Sequence, residues 1–503
     1  MNGDLSRVTF DPLKHYLRVV MQQGRVQLDA DWNEQTAILL RFLQALAADL
    51  IGPHGGPIDL TNTDGNIIRR NLGFEIITRE EQLDKVSDAN ERDRWKTILG
   101  RLDPKILISK GRYYVDGRLC EIEDYLPYPN QPGYPWLNER GNEEVFGDLP
   151  TGSYLVYLDV WERYVSSLED PEIREVALGG ADTAARSKLV RQVKIKTPKL
   201  DPDTVMTCVD FPWDEHLNQL KPENRGRMKA RAKEGDRPGQ DEPCITAPDA
   251  RFRGVENQLY RVEIHRSGPA WNGANPGNSA NAATFKWSRD NGSIVAAYKA
   301  KNGNDLIVSG LRDNSRWFSA GQWVELTHDA LELRGDPGTM VKLVKVDGET
   351  LTIDPGSGSP SEDIFDPTNL KNPKIRRWDH KETNDAKLNQ GAVLIKEGDG
   401  DDNWIELEDG VRIQFKAPAM GEPLTAYRTG DYWSLPARVA TGDVEWPGEP
   451  GDPMAVAPHG IEHHYAPLAV ITLIGEGDID RNNNPIDLRH RFLRLAECNP
   501  ENE

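Results

Sequence analysis

From Gly56 onward the chain never sustains the 3.6-residue apolar period of a long helix; it breaks into short β-prone runs punctuated by turn residues. Lys105–Ser109 leads through Gly111 to Arg112–Val115, then Asp116-Gly117, then Arg118–Ile122. Two β-prone runs joined by Asp-Gly predict a hairpin, because a type I′ turn needs positive φ at both central residues. Tyr154–Val165 opens with five apolar residues and reads as a central strand buried on both faces. Further runs fall at 258–265, 284–288, 294–298, 322–326, 341–346, 351–353, 404–407, 411–415 and 468–474. Such a succession suits sandwiches or barrels rather than βαβ units. The composition agrees: 44 Gly and 34 Pro serve tight turns, and 13 Trp among 14 Tyr and 11 Phe suit pleated, half-buried surfaces. The expected fold is mainly β, with sandwich or barrel-like domains, one N-terminal amphipathic helix and long irregular loops.

That helix is the exception near the start. Asp31-Trp32-Asn33-Glu34 resembles a capping box, and Gly52-Pro53 supplies a stop. Between them Trp32, Leu39, Leu43, Leu46 and Leu50 fall at spacings of 7, 4, 3 and 4, on one stripe. The stripe must be covered, either by the chain's own β-rich body, the favoured alternative, or by copies of itself as an intersubunit seam. It lasts under three heptads, short of a coiled-coil signature.

At about 150 residues per domain, a chain of 503 residues holds about three domains, or two with long insertions. The reading is a docking segment over 1–55, a β-rich domain over 56–198, a polar linker or long loop over 199–250 and a second β-rich domain over 251–503. The net charge of −20 disfavours nucleic acid, whose phosphates require a basic face. Six basic residues between Arg225 and Arg237 are the local exception; with Gly226 and Gly235 among them, they read as a solvated loop. The longest largely apolar stretch, Ala466–Ile474, is about half of what a membrane helix needs. No secretory signal is legible, since Asp4 stands where an apolar core should follow. The expectation is therefore synthesis in the cytoplasm. Cys120, Cys208, Cys244 and Cys498 have no CxxC spacing and read as inert thiols.

Chemistry-bearing motifs are sparse. Neither GxGxxG nor GxxxxGK[ST] nor GxSxG occurs. His459-Gly460-Ile461-Glu462-His463 matches the inverted zincin pattern by letter, but Pro458, Gly460 and Pro467 leave little room for the stable helix that zinc would need, so a turn with partly exposed imidazoles is expected. Gly398–Asn403 offers carboxylates to a hard cation but has Gly410 where an EF-hand places its distal Glu; it reads as a solvated acidic turn. Glycoside hydrolysis would need two carboxylates about 5 to 10 Å apart. Asp159 with Glu162, or Asp379 beside Trp378, can be named, but 81 acids guarantee such neighbours. No catalytic residue, metal site or cofactor is assigned.

The first fifty residues carry most information. Gly3–Arg7, Thr9–Pro12, His15-Tyr16 and above all Met21–Gln35 (MQQGRVQLDADWNEQ) resemble the opening of a bacterial family whose members look like components of phage tails and contractile injection systems. Gly111–Gly117, Tyr157–Arg163, Leu168–Pro171, Glu256–His265, Phe285–Gly292, Gly430–Trp433 and Pro436–Arg438 extend the similarity over nearly the whole chain. The resemblance implies a non-enzymatic structural or attachment subunit, such as a tail-fibre or baseplate-associated protein, on a particle that is released or membrane-attached. Its implied partners are other particle subunits and further copies of itself, with a trimer as first expectation because tail fibres are often threefold. Two rival readings stand beside it: a carbohydrate-binding or glycan-cleaving tip, with a glycan as partner, and a cargo protein carried by the particle.

Overall fold

The computed structural model describes residues 2–63, 66–70, 73–134, 149–197, 199–201, 207, 210–221, 223–233, 252–274, 277–310, 317–359, 364–383, 385–449, 451–475, 477–480 and 482–493. The fold is mostly β. The expected hairpin forms, with Asp116 at φ 45° and Gly117 at φ 72° between strands Gly111–Val115 and Arg118–Ile122.

The predicted central strand spans Gly152–Val165 and is paired along both edges, by Arg186–Ile195 and by His464–Leu473. Its first half, Tyr154 to Trp161, is buried throughout, as a strand covered on both faces must be. A neighbouring sheet holds Gly111–Val115 against His54–Pro57, which pairs in parallel with Arg491–Phe492. Strands His464–Leu473, Ile486–Asp487 and Arg491–Phe492 thus complete the sheets of the first β-rich region although they lie far beyond residue 251. One core joins both sheets through Tyr113, Val115, Tyr154, Leu158, Leu468 and Ile471.

Beyond these two sheets the largest units are a six-stranded sheet and a closed barrel. In the sheet, Gln258–Arg266 lies between Thr284–Ser288 and Tyr432–Arg438. The barrel joins strands 295–302, 305–309, 350–354, 339–347, 323–327 and 374–378, and closure leaves it without an edge. Its interior is filled by Tyr298, Leu306, Val324, Leu343, Leu351 and Ile375.

Several expectations are corrected. The basic run at 225–237 is not a loop throughout: Arg227–Ala232 is a strand paired with Val411–Lys416. Met228, Ala230 and Ala232 point inward, so the period-2 pattern outweighs the charge density that suggested solvation. For the same reason the expected linker contains this strand and a helix, Trp213–Leu220; residues 234–250, with Cys244, lie outside the described residues, as do Cys208 and Cys498. A second helix of some length, α2 (Ala89–Arg101), follows the N-terminal α1 (Asp29–Ile51). Asp88 caps α2 by accepting from the Glu91 N–H, and Trp95 and Leu99 seat it against Leu107 and Tyr125.

Candidate docking surface and central cleft

α1 begins two residues before the expected capping box. Its N-cap position, Leu28, makes no side-chain cap bond, and Asp29 is instead engaged by the N-terminal arm: its carboxylate accepts from the Ser6 N–H (2.9 Å) and hydroxyl (2.5 Å). Glu34 does not reach back to a cap; it accepts from the Thr9 hydroxyl, and Gln35 accepts from the Val19 N–H. The arm therefore runs alongside the helix. A hollow of about 280 Å³ separates them, with Phe10, Tyr16 and Leu17 on the arm side and Ile38 and Phe42 on the helix side. The C-terminal stop is as expected: Gly52 at φ 93° donates its N–H to the Ala48 carbonyl.

The arm is itself anchored. The Gly3 N–H donates to the Asn291 carbonyl (3.1 Å), and the Asn291 amide donates back to the Gly3 carbonyl (2.9 Å). Arg438 donates to the Ser6 carbonyl, and Arg7 pairs with Glu445 at 3.5 Å. At the other end Ile51 packs on Gly55, and the Gln44 carbonyl rests on Gly117.

What this scaffold leaves uncovered is the apolar stripe. The chain's own arm and body cover Ala30 and Ile38, at 1% and 2% exposure, and not the five stripe residues. Trp32 is 77% exposed and Leu39, Leu43, Leu46 and Leu50 are 52–69% exposed, so the favoured expectation of packing on the chain's own body is not met. The sequence reading also missed Leu40 and Phe42 beside the stripe and Leu13, Leu17, Met21 and Val26 on the arm, all exposed. Of the 26 exposed large hydrophobic side chains among the described residues, 15 fall within the first fifty residues. Single exposed apolar residues are ordinary; what distinguishes this region is their concentration.

A cleft of about 520 Å³ lies between the central strand, the six-stranded sheet and the barrel, and Asn2–Asp4 form part of its wall. Its floor is a buried charge network. Lys286 on strand 284–288 donates to both Glu325 oxygens at 2.6 Å and lies 3.2 Å from Glu263. Arg261 holds Glu263 at 2.5 Å and stacks on Tyr432, and the Trp378 indole donates to Glu325. Against the cost of burial, these cations hold both carboxyls below their usual range. A second network ties the central strand to the barrel: Arg163 reaches Asp329 and Glu332, and Lys374 reaches Glu169 and Glu332. Glu169 is held at about 2, burial being outweighed by Lys374 and the Ser166 hydrogen bonds. The networks escaped the sequence reading, yet a signal was present: in Arg261-Val-Glu263-Ile-His265 charge recurs at period two inside an apolar strand, and all three side chains are buried.

The motif candidates separate in space. His459 and His463 lie in irregular backbone; the Ser434 N–H donates to His459, and His463 is 2.7 Å from Asp159. Asp159 is buried between His463 and Lys194, which together hold its carboxyl far below its usual range despite burial. Glu162, three residues on, lines the cleft and accepts from Ser187 instead, so the pair does not converge. Asp379 is turned towards Arg377 and the Arg289 N–H, away from the Trp378 indole partner Glu325. In the acidic turn, Asp399 pairs with Lys416 and the Gly400 carbonyl accepts from Gln414. Among the described residues no group of three or more His, Cys, Asp or Glu is arranged to hold a metal ion. Cys120 is buried, and burial pushes its thiol up to about 12. No helix among the described residues is long and apolar enough to cross a membrane.

No curated protein and no solved structure matches the chain. A family model does, over residues 1–203 and 224–478, taking in the arm, α1, the central strand, the barrel and the six-stranded sheet. On that match the chain belongs to the Family of unknown function (DUF6519).

Proposed function

We propose that the protein is a non-enzymatic attachment subunit of a contractile injection system or related phage-tail-like particle, mounted through the arm and α1. The observation that carries this reading is the solvent-facing stripe Trp32–Leu50 on a helix held at both ends by its own body. Burying Leu39, Leu43, Leu46 and Leu50 against a partner is worth roughly 1.5 to 3 kcal/mol each before ordering costs, enough to hold a joint. The resemblance of Met21–Gln35 to the opening of tail-particle components points the same way.

Three carboxylates of the cleft speak against the glycan-cleaving reading. A glycosidase acid must be kept protonated near neutral pH. Glu169, Glu263 and Glu325 are instead drawn downward by cations that clamp one β-unit to the next. The rest of the β-rich body would be the exposed part, presented to neighbouring subunits or to a glycan.

The test is purification of the particles from producing cells, followed by mass spectrometry before and after protease treatment of intact particles. The chain is expected in the particles and to be digested. Its absence would end the proposal, and survival inside intact particles would favour the cargo reading. Reducing-sugar release from glycans by the pure protein would replace it with a glycan-cleaving tip, while binding on a glycan array without release would place the body at the receptor-facing end.

A further inference from the structure

We infer that the occupant of the α1 stripe is the same chain: two or more further copies, their helices parallel around a common axis. The inference rests on reading α1 as the docking element and names its partner.

The spacing supplies the first argument. With Thr36, which is also exposed, the outward residues are Trp32, Thr36, Leu39, Leu43, Leu46 and Leu50, alternating steps of four and three. That alternation, though too short for a long coiled coil, fits one seam against an equal helix at a shallow crossing angle. Charge supplies the second. Around a symmetry axis each side chain meets its own copy, so a charge on the seam would face its like. Between Trp32 and Leu50 the charged residues are Glu34, Arg41 and Asp49, and none occupies the stripe; Glu34 is turned to Thr9 on the arm.

Width decides the number of copies. A two-stranded coil buries a narrow seam and flanks it with charged residues. Here the flanks are Leu40, 44% exposed, and Phe42, which lines the hollow beside the arm but is still 50% exposed, so each helix offers apolar surface on both sides of the stripe. Area brings in the arm. A 23-residue helix is about 35 Å long and a stripe about 10 Å wide offers roughly 350 Å², less than half of the ~800 Å² per partner typical of stable interfaces. The exposed arm residues Leu13, Leu17, Met21 and Val26 supply further surface on the same unit.

The full-length protein is to be examined by sedimentation velocity at micromolar concentration and at several salt concentrations, beside Leu43→Asp and Leu46→Cys. Expected are a species of at least three times the single-chain mass, strengthened by salt because each copy carries a net charge of −20, and an association constant at least tenfold lower for L43D with its circular dichroism spectrum unchanged. Mild oxidation of L46C is expected to join two chains through residue 46, as only a parallel seam brings that position beside its copy. A monomeric or dimeric wild type, an L43D variant that assembles normally, or failure of L46C to cross-link within an intact assembly would each overturn the inference. A monomer that still enters particles overturns it while sparing the proposed function. An assembled chain missing from particles leaves the seam standing and removes the proposed function alone.

Discussion

Gly117 lies directly beneath the Gln44 carbonyl of α1: a Cβ at position 117 would stand 2.0 Å from that oxygen. The same residue holds φ 72° in the hairpin turn, so one position both closes the hairpin and seats the helix.

Gly117→Ala is accordingly expected to act twice. The left-handed backbone costs about 1 kcal/mol for a residue with a Cβ, and the clash must displace α1 or the turn. The expected result is a loss of 2 kcal/mol or more in stability, on the order of both effects combined, with faster hydrogen exchange in α1 and earlier proteolysis before Gly52. Unchanged exchange in α1 would mean that the helix does not depend on this seat.

Lys286 bridges two buried carboxylates, and its replacement by Met should cost about 3 to 5 kcal/mol because Glu263 and Glu325 are left facing each other. The surface pair Lys345–Asp347, 3.0 Å apart and 67% and 73% exposed, gives the control: K345M should change stability by less than about 0.5 kcal/mol. Denaturant titration of both variants reads the contrast. Near-equal effects would show that the network does not clamp sheet to barrel.

Burial holds the imidazoles of His54 and His380 down to about 4; His490 beside the first adds to the shift, and the Gly391 carbonyl opposes it at the second. Both are neutral in the fold at pH 7. Below about 6.5 the unfolded chain takes up the protons first, so stability is full above that pH and falls as pH drops towards 4. Glu169, depressed to about 2, extends the decline below 4.5. Melting temperatures from pH 8 to pH 4 should follow this course, and His54→Asn with His380→Asn should flatten the upper part relative to its own value at pH 8. An equally steep decline in the double variant would assign the loss to other groups.

Iodoacetamide labelling tests the buried thiol. At pH 8 the Cys120 peptide should remain unmodified in the native protein and label fully in denaturant, because the thiol is both inaccessible and held protonated up to about 12. Rapid native labelling would mean that the strand Arg118–Ile122 opens readily.

What the sequence disclosed follows from how local the signal was. Asp116-Gly117 announced its turn because the required φ values belong to those residues alone, and Tyr154–Trp161 announced a covered strand by unbroken apolarity. Strands Lys374–Trp378 and Arg227–Ala232 were missed because their charges are matched by partners distant in sequence: Lys374 by Glu169 and Glu332, Arg231 by Asp401. α2 was missed because Asp88, Trp95 and Leu99 form too short a pattern to stand out. The α1 stripe was legible from period alone. Which face the body covers was not, since Ala30 and Ile38 contribute little to that pattern and Ser6 and Thr9, which fix the helix, act from outside it.

α1 passes through Gly52 almost directly into the strand His54–Pro57, which is held between Gly111–Val115 on one side and Arg491–Phe492 on the other. A pull on the helix therefore enters the body lengthwise along a strand with neighbours on both flanks. Its hydrogen bonds are loaded together in shear instead of being unzipped one by one, and the load is shared by segments far apart in the sequence. If α1 is the mounting point proposed above, a sudden jolt would find no loose edge at this strand from which to start tearing.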